Sequence, residues 1–270
     1  MLIENDITHI LVFAPLQNSI LRHLIGMSTV DKAEIENFER VADDWWNETG
    51  AFKPLHKLGP TRIAYLRSQL DPHFSCDPNN IKPYTKLSIL DIGCGGGLVC
   101  EPLARLGAKM TGVDASTKNI EKAIIHAAES NLDIEYLPVT AESLVAKKKL
   151  YDVVMALEVI EHVADVALFI ETCTKLVKPN GLIVFSTLNR TPKSFALGIV
   201  AAEYILRWVP TGTHDWKKFL LPSEIAAELR KHKYAPADIT GMTYNPLKDQ
   251  FSLSKDDLSV NYFLTAKKTS

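Results

Sequence analysis

One glycine-dense turn and three acidic positions carry the chemistry open to this chain. Gly93, Gly95, Gly96 and Gly97 follow Asp91 directly, at the end of an apolar stretch over residues 87–92. Glycine is needed where backbone approaches a ligand closely or adopts positive φ, and a strand, a glycine turn and a helix in succession supply both. A dinucleotide fingerprint requires a glycine at the sixth position from Gly93, and Leu98 stands there instead. The turn offers a carboxylate, Asp91, where a dinucleotide site brings a phosphate. That suits a ligand with a cationic amino group, as S-adenosylmethionine has. Asp114 ends the next expected strand, where a carboxylate can accept both hydroxyls of a ribose. Leu157, and the pair Ala141 and Glu142, stand where they border adenine or where they are plain core and a helix start.

Glu158, Glu161 and His162 are spaced i, i+3 and i+4, which in a helical turn puts all three on one face. Two chemistries fit them. The three side chains can bind a divalent cation such as Mg2+ that orients a substrate hydroxyl and lowers its pKa. Alternatively, His162 alone is a general base for a phenol whose ordinary pKa is near 10. The acidic residues would also suit a helix start on dipole grounds. A sulfonium methyl is already activated, so one base or one metal is enough.

Strands and helices alternate from residue 89 onward. Strands are expected at 89–92, 109–113, 134–138, 151–157 and 181–187, with helices at 98–106, 118–130 and 166–177. Such alternation implies an α/β domain, an open parallel sheet with helices on both faces and the ligand crevice at the carboxyl ends of the strands. Asp91, Asp114 and the 158–162 cluster all fall at such ends. Two final strands, near 239–244 and 260–265, read as a hairpin that adds one antiparallel strand. Ahead of the sheet, residues 33–70 are helical in pattern, broken at Phe52, Lys53, Pro54, Leu55 and His56, and they can cover the mouth of the site. Residues 71–86, with Pro72, Pro78 and Pro83, read as a linker.

At 270 residues with a net charge of −2, the chain has room for one large α/β domain with appended pieces and no global field calling for nucleic acid. Its four cysteines form no Cys-x-x-Cys pair, so a reducing compartment fits best. Residues 1–26 lack a basic leading region and contain Pro15, resembling neither a signal nor a transit peptide; a more ordinary start follows at Met27. The organisation expected is an N-terminal extension over 1–32, a helical lid and linker over 33–86 and the cofactor-binding core over 87–270. The core carries an insertion at about 188–219. Within it, residues 193–209 form a mostly apolar helix with Glu203 and Arg207 four apart, too short and too charged to span a bilayer, where roughly 20 apolar residues are needed. It can lie in a membrane interface with Trp208 and flanking cations at headgroup level, or pack as a core or dimer helix.

Several stretches together resemble the ubiquinone-biosynthesis O-methyltransferases, the UbiG-type class I methyltransferases. They are Phe38 with Trp45 and Trp46; Phe52 to His56; Asp91 to Gly97; Glu158 to His162; Ser186 to Arg190; residues 202–206; Gly212 to Asp215; and Tyr244 to Pro246. The likeness spans about residues 33–265. It implies a Rossmann-like, seven-stranded, mostly parallel sheet with one antiparallel strand and an N-terminal helical lid. It implies S-adenosylmethionine contacts at Arg62, Gly93, Asp114 and Leu157, beside Asp91 and Gly95 from the turn itself, with Arg62 pairing the methionyl carboxylate. It also implies both O-methylations of ubiquinone assembly, on 2-polyprenyl-6-hydroxyphenol and on 3-demethylubiquinol. The 193–209 helix then becomes a membrane contact, with Tyr204, Arg207, Trp208 and Lys217 meeting lipid or substrate and Trp45 and Trp46 taking up the prenyl tail. Partners would be membrane lipids and other ubiquinone-biosynthesis proteins, at the cytoplasmic face of a bacterial inner membrane, or the matrix face if mitochondrial. Three rivals remain: a methyltransferase for a soluble phenol or carboxylate, a nicotinamide-dependent oxidoreductase, and a non-catalytic lipid-binding subunit.

Overall fold

A computed structural model describes residues 29–196 and 215–269. Five strands, β1 (Ser88–Ile92), β2 (Lys109–Val113), β3 (Glu135–Leu137), β4 (Tyr151–Leu157) and β5 (Val177–Leu188), run parallel in the order β3-β2-β1-β4-β5. Three more, β6 (Tyr234–Asn245), β7 (Gln250–Ser254) and β8 (Asn261–Lys268), complete an eight-stranded sheet. β8 inserts between β5 and β6 and is antiparallel to both.

The expected seven strands are therefore eight. The extra one is β7, which folds back on β6 from the turn around Pro246. Its sequence, Gln-Phe-Ser-Leu-Ser, is short and mostly polar, which suits a half-exposed edge strand and gives little apolar signal.

Successive residues in the inner strands point to opposite faces, and each face has its own core. Ile89, Val153, Val184 and Phe263 pack on one side with Leu66, Leu103 and Ala123. Leu90, Val154, Ile183 and Leu264 pack on the other with Leu144, Ile170 and Ile225. The helices on the first side are α2 (Lys53–His73), α3 (Cys100–Arg105) and α4 (Thr117–Glu129); on the second, α5 (Ala141–Val145), α6 (Val166–Leu176) and α7 (Pro222–Lys231). α1 (Lys32–Arg40) precedes them, capped by the Asp31 side chain.

α2 starts earlier and ends later than the sequence pattern suggests. Pro54 sits in its first turn, where a missing N–H is harmless, so the stretch expected to break the helix begins it instead. The helix continues to His73, past the start of the expected linker. Its buried stripe is Leu58, Thr61, Arg62, Tyr65, Leu66 and Leu70, a 3–4 spacing that lays one face on the sheet and carries Arg62 inward with it.

The strand order reverses between β1 and β4, so a crevice opens beyond their carboxyl ends. The glycine turn lies there. Gly93, Gly95 and Gly97 have φ of 70°, 52° and 88°, and a Cβ on Gly97 would stand 2.2 Å from the Tyr136 hydroxyl. Left-handed backbone and a clash both oppose any side chain at this position. Gly97→Ala is expected to destabilise the protein by about 2–4 kcal/mol, read from denaturant unfolding midpoints; an unchanged midpoint would show that the turn tolerates a side chain.

Candidate active site

A cleft of about 890 Å³ opens over the carboxyl ends of β1, β2 and β4. It gathers Asp91, Gly93, Gly95, Asp114, Leu157, Arg62, Glu158, Glu161 and His162 on one lining. The sequence places these residues up to a hundred positions apart, and the parallel sheet brings them together because each strand ends at the same edge.

Asp114 is already held from three sides. Its Oδ2 accepts the Gly95 amide at 3.0 Å, and its Oδ1 accepts the Ser116 amide at 2.8 Å and Asn119 Nδ2 at 3.3 Å. A carboxylate offers about four lone-pair sites, so with three engaged one is left for a ribose hydroxyl, and a second hydroxyl would have to share or displace one of these donors. Burial raises its pKa, against the pull of those donors. Asp91 is 4% exposed and accepts the Cys100 thiol at 3.3 Å. Burial pushes its carboxyl up to about 7, although the Cys100 bond and the Arg62 charge act in the opposite direction.

Arg62 is 3% exposed, and its Nη2 lies 3.7 Å from Glu158 Oε1. Its Nε and Nη2 make no hydrogen bond. A buried guanidinium with unused donors at a cleft wall is suited to a carboxylate ligand. Across the cleft, Glu142 has one oxygen bonded to the Thr29 amide at 3.1 Å, while its Oε2 is buried without a partner. That orphaned acceptor fits an exocyclic amine. The residues present thus fit S-adenosylmethionine: an acceptor for the adenine amine, a carboxylate for the ribose, Asp91 for the ammonium and Arg62 for the carboxylate.

The 158–162 cluster departs from the expected single helical face. Glu158 follows the last residue of β4 with φ of 58°, and only Ile160–His162 form a turn, of 3₁₀ type. The left-handed residue rotates Glu158 towards β5 and β8, where it accepts Ser186 Oγ at 2.7 Å and Asn261 Nδ2 at 3.0 and 2.9 Å. Glu161 is 4% exposed, and burial with the neighbouring Glu158 charge raises its pKa. His162 turns to α1, its Nδ1 3.2 Å from Glu34 Oε2. Glu158 and His162 thus face different partners, while Glu161 Oε2 is buried without a hydrogen-bond partner, and among the described residues no group of three or more His, Cys, Asp or Glu is placed to hold a metal ion. The side chains do not fit a cation as arranged.

Trp45 and Trp46 also stand elsewhere than on an open, tail-binding face. Trp45 lies over the glycine turn, stacked on Phe52 with ring centroids 3.7 Å apart, and a Cβ on Gly95 would come within 2.3 Å of its ring. Its Nε1 donates to Asn119 Oδ1 at 2.9 Å. Trp46 donates to the Gly96 carbonyl at 3.0 Å and stacks on His126 at 3.4 Å. Trp45 lines the cleft, but Trp46 does not. Lys217 is exposed. Tyr204, Arg207 and Trp208 lie outside the described residues.

Sequence reasoning missed Glu34, Asn119, Ser186 and Asn261. Asn119 carried one local signal, three residues after Ser116, whose side chain caps α4. The others act only through contacts distant in the chain.

A profile described as a methyltransferase domain matches residues 39–232. Relatives named ubiquinone biosynthesis O-methyltransferase include those of Bartonella tribocorum, 51% identical over 90% of this chain and 98% of that protein, and Bartonella bacilliformis, 52% identical over 89% and 97%. The chain belongs to the ubiquinone biosynthesis O-methyltransferase family. Its fold is shared with the magnesium protoporphyrin IX methyltransferase of Synechocystis PCC 6803 bound to S-adenosylhomocysteine, with a TM-score of 0.55, 20% identity and 96% of each chain covered. The plantazolicin methyltransferase BpumL with S-adenosylhomocysteine gives a TM-score of 0.61 at 18% identity, over 88% of this chain and 97% of that one. The protein is a class I, S-adenosylmethionine-dependent methyltransferase.

The raised Asp91 pKa has a measurable consequence. A cofactor ammonium seated on Asp91 would pair with the ionised carboxylate, so below about pH 7 its binding would first have to remove a proton from Asp91. S-adenosylhomocysteine affinity measured by calorimetry is expected to fall by up to about tenfold per pH unit below that point. Affinity independent of pH between 5.5 and 8 would remove Asp91 from the ammonium site.

Proposed function

We propose that this protein methylates phenolic hydroxyls of prenylated rings at both O-methylation steps of ubiquinone assembly, on a 2-polyprenyl-6-hydroxyphenol and on 3-demethylubiquinol. The observation that carries the reading is that His162 shares one cleft with the cofactor-binding carboxylates, on a lining that is otherwise largely apolar. Phe38, Phe52, Met242 and Phe251 line it, and Phe38 meets the His162 ring edge-on at 5.4 Å. A prenylated ring is apolar except at its hydroxyls, so such walls desolvate it beside the imidazole proposed to take the one proton that must leave.

S-adenosylmethionine supplies an activated methyl group, which leaves as S-adenosylhomocysteine forms. The chain's own work is positional and acid–base. Asp114, Asp91, Arg62 and Glu142 hold the cofactor, Leu157 packs at the end of β4, and Trp45 closes over the glycine turn. His162 takes the hydroxyl proton as the oxygen attacks in line. Burial pushes the imidazole's pKa down, but the bond to Glu34 and the charges of Glu161, Glu34 and Glu158 outweigh it and leave it above 6.5. No step is routed through a divalent cation, because Glu158 and His162, two of the side chains that would ligate it, face different partners.

Mass spectrometry of a prenylated catechol incubated with S-adenosylmethionine is expected to show one added methyl group, with and without chelator. His162→Gln is expected to lower kcat by about 10²–10⁴-fold. A base accepts a proton only when neutral, so kcat at saturating cofactor should rise with pH through a value above 6.5, and the variant should lose that limb. An unmethylated catechol would reject the acceptor class, and a variant with full kcat would reject the base.

The same reading includes a membrane surface as the source of substrate, since a prenyl tail does not arrive through water. No helix among the described residues is long and apolar enough to cross a membrane. Support for peripheral contact comes from the apolar 193–209 sequence with its flanking cations, and from Phe195, which is 47% exposed where that segment begins. The site of action proposed is the cytoplasmic face of a bacterial inner membrane, alongside other proteins of the pathway. Replacing Arg207, Trp208 and Lys217 with Glu is expected to reduce sedimentation with anionic liposomes severalfold; unchanged sedimentation would place the contact elsewhere.

A further inference from the structure

β6 runs past the level at which β5 stops. Leu188, the last residue of β5, pairs with Asn261, and Asn261 pairs in turn with Met242 of β6. β8 is antiparallel to both strands, so β5 and β6 leave the sheet at the same edge, and Leu188, Asn261 and Met242 all line the cleft there. Thr243, Tyr244 and Asn245 carry β6 about 10 Å further before the chain turns into β7. Leu247 stands in that turn and is 96% exposed.

Single exposed apolar residues are common on protein surfaces, so exposure alone assigns nothing. The mounting of Leu247 says more. Asn245 Oδ1 accepts the Leu247 amide at 3.0 Å and the Lys248 amide at 3.2 Å, which fixes the turn from its own first residue. Asp249 accepts the Tyr244 hydroxyl and pairs with Lys57 of α2. The Tyr244 ring meets Phe251 of β7, with centroids 4.9 Å apart. A leucine is thus held out in water by contacts with β6, β7 and α2.

Two further observations indicate what it meets. Lys53, Lys57 and the exposed Lys248 outnumber Asp249, so the turn and the adjoining start of α2 are cationic. Beyond the same edge of the sheet, a few residues past the end of β5, Phe195 is 47% exposed and meets Trp216 edge-on at 6.3 Å, with exposed Lys217 next in the chain. Both places border the cleft, through Tyr244 and Pro246 in one and Lys193 in the other. An apolar tip with lysines beside it matches an anionic lipid surface, where the tip enters the interface and the cations stay among the headgroups.

We propose that the β6–β7 turn is a second membrane contact, separate from the 193–209 segment, in which Leu247 enters an anionic bilayer surface and Lys248 meets its headgroups. One point of contact leaves the molecule free to rock on the membrane. With Phe195 and Trp216 beyond the same edge, a contact at the turn fixes the tilt and faces the cleft mouth to the lipid, where a prenyl tail resides. This rests on the reading of a membrane as the source of substrate, and the test separates the two.

The test uses the full chain with vesicles of phosphatidylethanolamine and phosphatidylglycerol, and with vesicles of phosphatidylcholine alone. Leu247→Cys, in a Cys76→Ser background that leaves only buried thiols, carries a nitrobenzoxadiazole label. Its emission should shift to the blue and brighten with the anionic vesicles and change little with phosphatidylcholine. Unlabelled Leu247→Glu and Lys248→Glu should each sediment with the anionic vesicles about fivefold less than the parent. Their S-adenosylhomocysteine Kd, measured by calorimetry, should stay within about twofold of the parent, as for a surface change that leaves the cleft intact.

Parent-like sedimentation of Leu247→Glu, or a label that stays unchanged while the labelled protein sediments, would overturn the turn contact and leave the membrane reading in place. A parent that does not sediment with the anionic vesicles would overturn both. A label shift that grows with protein concentration in the absence of lipid would make Leu247 a contact between copies of the chain, and would overturn the proposal as well.

Discussion

A guanidinium taken out of water is costly unless its donors find partners, and Arg62 finds only part of what it needs within the chain. Its Nη2 stands 3.7 Å from Glu158 Oε1, beyond hydrogen-bond distance, and neither Nε nor Nη2 makes a hydrogen bond. Much of the site is arranged around this one cation. The α2 stripe of Leu58, Tyr65, Leu66 and Leu70 holds it inward. Glu158 is kept facing it by Ser186 and Asn261, at the expense of a left-handed backbone. Asp91, buried beyond its ordinary range of ionisation, sits in the same field. The unused Arg62 donors suit an anion and the Asp91 carboxylate a cation, the two charges that an amino acid end carries.

The lid and the cofactor turn are joined by hydrogen bonds as well as by packing. Trp45 bonds Asn119, Asn119 bonds Asp114, and Asp114 bonds the Gly95 amide beneath the Trp45 ring. Trp46 closes the circuit on the Gly96 carbonyl. Glycine at 95 and 96 therefore serves two purposes: it lets the backbone turn, and it lets an indole rest on that turn. A single network connects Asp114 to the cover over the cleft, and α1, carrying Glu34, extends that cover to His162.

What was legible in the sequence is what local pattern encodes. β1, β2, β4 and β5 announce themselves as short apolar runs, and the residues that end them, Asp91, Asp114 and Leu157, reach the cleft because parallel strands finish at one edge. Arg62 was reachable only by resemblance, since a cation in a helical stripe reads as surface until its burial is seen. Pairings across long separations left no trace: Glu34 with His162, Trp45 with Asn119, Glu158 with Asn261. The spacing of Glu158, Glu161 and His162 suggested one shared face because it assumed an α-turn; positive φ at Glu158 breaks that assumption, and with it the arrangement expected for a cation. The tryptophans suggested a tail-binding surface by residue type, whereas their indole N–H groups are spent on Asn119 and a glycine carbonyl. β7 went unseen because an edge strand half open to water needs little apolar character.

The most direct test of this account is a crystal structure with S-adenosylhomocysteine bound. It should show the ligand's carboxylate within hydrogen-bond distance of the Arg62 guanidinium, its ammonium at Asp91 and its ribose hydroxyls on Asp114. A ligand whose carboxylate lies elsewhere, with Arg62 still contacting Glu158 alone, would contradict the claim that the buried cation organises the site.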